Sequence, residues 1–167
     1  MSEEVGKYSC PAAFLVFLIT AATIAGAWGF ELIGGYIPCP LCLQQRWPYY
    51  IVIPIALAVF LLSRTGNASW FVRGGLVVCG LIMLVSAGLG GHHAGVEWGW
   101  WEGPTACSGG AGLNPDSVLP DLNNLNVVRC DEVQWRFAGL SFAGWNFVIS
   151  LVAAIIAFRG VRRHSPV

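Results

Sequence analysis

Apolar residues along the 167-residue chain gather into four long runs separated by polar segments. The first, PAAFLVFLITAATIAGAWGFELI, covers residues 11–33 and is broken only by Glu31 near its end. The others are WPYYIVIPIALAVFLL at 47–62, WFVRGGLVVCGLIMLVSAGLG at 70–90 and FAGWNFVISLVAAIIAF at 142–158. Each approaches the roughly 20 residues needed to cross a hydrocarbon core about 30 Å thick. The second and fourth are short, so their ends belong close to the interfaces. Buried helices of a soluble bundle keep a polar stripe at helical spacing, whereas these runs are apolar all round. The pattern predicts an all-α membrane protein: one domain over residues 1–167, a bundle of four transmembrane helices.

The first run contains Ala25-Gly26-Ala27, which has the form of a signal-peptidase site. Its flank, however, carries Glu3, Glu4 and Lys7 in place of a basic cluster. The apolar stretch also exceeds the usual 7–15 residues or so of a secretory signal. It is read as a retained helix. Composition agrees with a membrane assignment: 56% of residues are hydrophobic and 11% charged, against about 25% charged in a soluble domain. That excludes a disordered chain. A formal net charge of zero argues against nucleic-acid binding, which needs a basic surface.

The zero conceals an asymmetry. Four spans put both termini on the same side as the short loop 63–69. That side holds Lys7, Arg64, Arg73, Arg159, Arg162 and Arg163, with only Glu3 and Glu4 among the acids. Arg46, Arg129 and Arg136 fall on the other side together with seven acidic residues. Basic residues stay cytoplasmic, so both termini are expected in the cytoplasm. Two loops, 34–46 and 91–141, then face outward. In the longer loop, Trp98, Trp100 and Trp101 suit either a membrane-surface segment or an aromatic belt. The stretch SGGAGLNPDSVLPDLNNLN, 108–126, has the composition of a mobile loop.

The six cysteines divide by depth. Cys10 and Cys79 fall at the edge and middle of apolar runs, where a thiol acts as a small hydrophobe. The remaining four lie in the outward loops: Cys39 and Cys42 as C-P-L-C in the short one, Cys107 and Cys130 in the long one. Three readings are open. Two structural disulfides would be stable outside the cytoplasm. A zinc site built from all four cysteines would use the C-x-x-C half-spacing, although Cys107 and Cys130 lack the matching close spacing. Dithiol–disulfide exchange is the third: a bridge across C-x-x-C closes a very small loop, constrains the unfolded chain little, and so suits redox better than stapling. If a helix begins near Cys42, its N-terminal amides favour a thiolate there. Arg46 follows one helical turn later on the same face, either as a functional charge or as a side chain reaching lipid phosphates.

Three elements together resemble the disulfide bond formation protein B (DsbB) family of bacterial inner-membrane thiol oxidases. They are Cys39-Pro-Leu-Cys-Leu-Gln-Gln-Arg46, Trp100-Trp-Glu-Gly-Pro-Thr-Ala-Cys107, and Cys130-Asp-Glu-Val-Gln-Trp-Arg-Phe leading into the last span. The resemblance covers nearly the whole chain. It implies a multi-pass inner-membrane enzyme that reoxidises a periplasmic DsbA-like dithiol oxidase and passes the electrons to a membrane quinone, ubiquinone or menaquinone. The two outward loops are then periplasmic. By the same resemblance, Cys107 forms the mixed disulfide with the partner, Cys130 pairs with Cys107, Cys39 exchanges with that pair, and Cys42 lies against the quinone ring. Arg46 matches an arginine that helps bind quinone, and His93, more than His92, a histidine near it. Pro40 is expected to restrict the C-x-x-C backbone, and Pro54 to kink the second span or be accommodated by its neighbours. The alternative is a non-enzymatic membrane protein with a zinc-bound or disulfide-stapled outer cap.

Overall fold

Four long helices carry the architecture: α1 (Ser2–Leu32), α2 (Pro40–Thr65), α3 (Ser69–Glu97) and α4 (Phe142–Arg162). The computed structural model describes residues 2–65, 69–104 and 129–162, with side chains excepted at 2–7, 69 and 162. Cys107 and the stretch 108–126, expected as a mobile loop, lie outside the described residues. All four helices are long and apolar enough to cross a membrane. Each packs on its neighbour in chain order, and α4 closes the ring against α1. Large apolar side chains point outward along the bundle, among them Leu18, Leu61, Leu81, Val85 and Ile155. Such a surface suits lipid.

The helices run further than the apolar runs. α2 begins at Pro40, not near Trp47, and α3 continues to Glu97, past the expected end at Gly90. Hydropathy marks where side chains meet hydrocarbon, whereas the helical backbone continues through the interface. Pro40 occupies the first helical position, where its fixed φ and missing N–H cost nothing. Residues 40–46, expected in a loop, are therefore helical, and Cys42 and Arg46 belong to α2. Pro48 and Pro54 lie inside α2, which runs unbroken through both.

The core sits where the helices converge. Val16, Tyr49, Val52, Ala56, Cys79, Met83, Ala153, Ala154 and Ala157 form one buried cluster. Ala13, Val59, Val72 and Leu76 form a second, toward the terminal end. Cys79 is thus a core packing residue, as its depth in the third run suggested. Ser9 Oγ donates to the Gly160 carbonyl at 3.1 Å and ties α1 to α4. Small residues let backbones approach closely in membranes. Gly90 is the sharpest case: a Cβ there would sit 2.8 Å from the Phe147 nitrogen and 3.1 Å from the Ala143 carbonyl oxygen.

Ahead of α4, a short antiparallel hairpin pairs β1 (Arg136–Phe137) with β2 (Leu140–Ser141). Its two-residue turn places Ala138 at φ 51° and Gly139 at φ 82°, the positive-φ pair that matches strand twist. Ser141 then caps α4, its Oγ accepting the Gly144 N–H at 3.2 Å.

Gly90→Ala should therefore push α3 from α4 and destabilise the bundle by roughly 1–3 kcal/mol. Unfolding of the purified protein in detergent, followed by circular dichroism, measures this. Unaltered stability would show that the helices have slack at this crossing.

Candidate functional site

The site forms where the N-terminus of α2 meets the C-terminal end of α3. Cys39 directly precedes α2 and caps it: the Cys42 backbone N–H donates to Cys39 Sγ at 3.2 Å. This is the bond an N-cap side chain makes to the third helical residue. Both thiols are free, and their sulfurs lie 2.8 Å apart, sharing a hydrogen bond. His93 Nε2 lies 3.7 Å from Cys39 Sγ. Cys39, Leu41 and Cys130 pack together as a small buried cluster with Cys42 at its side. Cys130 is disulfide-bonded.

Hydrogen bonding with Cys42 holds the Cys39 thiol well below the usual thiol range, at about 5. Burial opposes that shift, and His93 and the Cys42 backbone N–H reinforce it. The charge therefore collects on Cys39, whereas the sequence placed it on Cys42. The main reason is the hydrogen bond from the Cys42 thiol. Because α2 begins at Pro40, the amide of Cys42 also points back at Cys39 and adds a smaller part.

Arg46 makes a 2.6 Å ion pair with Glu31 of α1, and its side chain is only 12% exposed. Its guanidinium also lies 5.4 Å from the centre of the Trp28 ring. It is tied to α1 and does not reach outward as a lone charge. Glu31, which the hydropathy pattern showed only as an interruption of the first run, is thus the partner of a candidate site residue.

His93 is buried, while its neighbour His92 is exposed and stacks on Trp101 with ring centres 5.7 Å apart. Trp101 Nε1 donates to the His92 carbonyl at 2.9 Å, so this tryptophan folds back on α3. His93 Nδ1 faces Gln45 Nε2 at 2.7 Å. One turn further along α3, Glu97 Oε1 is 3.9 Å from His93 Nε2, and its side chain is 6% exposed. Glu97 Oε2 is buried with no hydrogen-bond partner.

Below these groups runs a line of polar residues that the sequence reading did not single out. Asn146 Nδ2 donates to Gln45 Oε1 at 2.6 Å, and Tyr49 OH donates to Asn146 Oδ1 at 2.5 Å. Tyr49 OH also meets Ser150 Oγ at 2.8 Å, which donates to Ser86 Oγ at 2.9 Å. Asn146 and Gln45 could have been flagged as amides adjoining or inside apolar runs. Their pairing across α2 and α4 has no local signal.

One cavity of about 450 Å³ connects these parts, within the roughly 300–1,000 Å³ of small-molecule sites. Cys39, Cys42, Arg46, His93 and Glu97 all line it. Its apolar wall includes Ala22, Ile24, Ala27, Phe30, Trp145 and Ile149. Aromatic rings cluster at one side: Trp135 stacks on Phe142 at 4.7 Å, and Phe30 meets Phe142 edge-on at 4.9 Å. An apolar chamber with a dithiol and a guanidinium at its wall fits a flat, weakly polar ring carrying oxygen acceptors. As for metals, donor atoms of Cys39, Cys42 and His93 lie within 4.8 Å of one another. A four-thiolate zinc cap is a different matter: Cys130, being disulfide-bonded, offers no thiolate to it.

The profile of the disulfide bond formation protein DsbB family matches residues 9–159. Disulfide bond formation protein B of Marinobacter nauticus is 34% identical over 161 residues, covering 91% of this chain and 92% of the relative. The protein of the same name from Hahella chejuensis is 32% identical, covering 90% and 92%. That from Nitrosococcus oceani is 29% identical, covering 86% of each. No solved structure matches. The family assigns the chain a disulfide-forming oxidoreductase role and a multi-pass place in the bacterial inner membrane. On this match across most of its length, the chain belongs to the DsbB family.

Proposed function

We propose that the protein oxidises the dithiol of a periplasmic DsbA-like partner and delivers the electron pair to ubiquinone or menaquinone in the bilayer. The observation that carries this reading is the free Cys39–Cys42 dithiol at the wall of an apolar cavity that Arg46 also lines. Both termini lie in the cytoplasm, and the ends of the helices bearing this site face the periplasm. That orientation follows from the basic residues concentrated at the opposite ends.

Exchange proceeds by thiolate attack on a disulfide sulfur. A thiolate of the partner attacks Cys107, forming a mixed disulfide and releasing Cys130. The partner's second thiol then displaces Cys107, leaving the partner oxidised and Cys107 and Cys130 as a dithiol. Cys130 next attacks the Cys39–Cys42 disulfide at Cys39, and Cys107 closes the bridge to Cys130. The electron pair then rests on the two sulfurs, with Cys42 protonated and Cys39 held as a thiolate. Packing of Cys130 against Cys39 supports this handover. The capping amide and His93 stabilise Cys39 as a thiolate, the state in which it is displaced. Cys42, Arg46, His93 and the apolar wall would hold a quinone, which when bound would supply the acceptor for the electron pair, for one proton from Cys42 and for one from solvent, so that Cys39 and Cys42 close their disulfide again. Arg46, shared with Glu31, would offset the negative charge that develops on such an acceptor. The aromatic cluster of Phe30, Trp135 and Phe142 keeps water from the wall.

Two outcomes test this. Cys42→Ala should abolish quinone reduction by a reduced DsbA-like protein, read as loss of quinone absorbance; unchanged turnover contradicts the relay. The second concerns pH. A thiol held at about 5 is ionised above that value and protonated below it. Iodoacetamide labelling of Cys39 in the reduced protein, followed by mass spectrometry, should be nearly flat from about pH 7 to 9. Below pH 5 it should fall about tenfold per unit. A rate still climbing between pH 7 and 9 would place the charge elsewhere.

A further inference from the structure

We infer that Gln45, Asn146 and Tyr49 lock His93 in a single neutral tautomer, protonated on Nε2, so that it faces Cys39 as a hydrogen-bond donor and not as a base. The inference rests on the reading of Cys39 as the reactive thiol, but its test does not depend on turnover.

An imidazole cannot report its own tautomer from heavy atoms, so the partners must decide it. Two backbone carbonyls anchor the decision, because a carbonyl only accepts. Gln45 Nε2 lies 3.3 Å from the Leu41 carbonyl oxygen. Asn146 Nδ2 lies 3.4 Å from the Ser86 carbonyl oxygen. Each amide therefore turns its NH2 toward its anchor. Asn146 then donates to Gln45 Oε1, and its own Oδ1 accepts from Tyr49 OH. With its oxygen occupied, Gln45 presents only N–H to His93 Nδ1 at 2.7 Å. Nδ1 must accept, and the proton resides on Nε2.

Reversing the whole line is costly. It sets an amide oxygen against each anchoring carbonyl, two acceptor–acceptor contacts in a water-poor interior. The far side of the ring agrees with the near side. Nε2 lies 3.7 Å from Cys39 Sγ and 3.9 Å from Glu97 Oε1, so its N–H points toward two acceptors. A second proton, on Nδ1, would meet the Gln45 NH2 group. Cys39, Glu97 and the Cys130 backbone favour a charged ring, so the close contact of Gln45 NH2 with Nδ1 is what keeps that nitrogen bare.

The other charges around the pair do not reverse this. Cys42 and Arg46 approach from α2, with Arg46 paired to Glu31 of α1. Arg136 of β1 acts on Glu97. Arg129 and Glu132, which line the same cavity, approach each other at 3.8 Å. None of them is bonded to Nδ1. Gln45, Asn146 and Tyr49 are positioning residues, acting on Cys39 through His93.

The experiment is a long-range proton–nitrogen NMR spectrum of the full-length, reduced protein labelled with nitrogen-15 histidine. The His93 signals are assigned by their loss in His93→Gln. The expected result near pH 7 is a bare Nδ1 and a protonated Nε2, in at least about tenfold excess over the other tautomer. A predominant Nδ1–H form, or an imidazolium, overturns the inference. Gln45→Glu keeps the side-chain shape but places an acceptor against Nδ1, and should protonate that nitrogen; a bare Nδ1 in this variant also overturns it. Asn146→Leu frees Gln45 to rotate and should reduce the tautomer excess severalfold, while an unchanged ratio contradicts the line of anchors. Because the unmodified protein alone decides the tautomer, the inference stays testable if Asn146→Leu does not fold.

Discussion

Tyr49, Asn146 and Ser150 face the inside of the helix ring, where water is scarce, so each must find its partners inside the protein. They find them in one another and in Ser86, Gln45 and His93. These contacts join α2, α3 and α4 through the centre of the ring, where small residues would otherwise leave little to fix the helices in register. The line ends at His93 beside Cys39. Holding the helices together and aiming His93 at Cys39 are therefore the same set of hydrogen bonds. Gly90 serves that arrangement by letting α3 meet the α4 backbone next to Asn146.

The position of the α2 start matters equally. Moving the first helical residue to Pro40 makes Cys39 the cap and Cys42 the third helical residue, so the two sulfurs share one turn and one amide. A C-x-x-C within such a turn has two unlike thiols. Cys39 is stabilised as an anion at the helix end, and both thiols line the cavity with Arg46. In the proposed relay the first exchanges with other sulfurs and the second faces an apolar acceptor.

Hydropathy made the four helices legible because lipid demands long apolar runs, and Cys39, Cys42 and Arg46 were legible because their spacing is local. The true helix boundaries were not, since backbone hydrogen bonding outlasts the apolar segment at Pro40 and at Glu97. Long-range pairings were also hidden. Glu31 and Arg46 sit on different helices, and Gln45 meets Asn146 across most of the chain. Nothing near Asn146 in sequence says which amide it will face. His92 and His93 are adjacent, and only the helical rotation of α3 separates an exposed ring stacked on Trp101 from a buried one beside Cys39. The hairpin before α4 was missed because Ala138-Gly139 is a weak turn signal, lacking the Asn or Asp that usually precedes glycine there.

The most direct test of the central claim is the redox state of Cys39 and Cys42 in the purified, full-length protein, read by thiol counting and mass spectrometry. Reduction by a DsbA-like dithiol should leave both thiols free. Adding a quinone in the absence of oxygen should then close a Cys39–Cys42 disulfide, with one quinol formed per disulfide. Thiols that stay reduced under excess quinone would contradict the account.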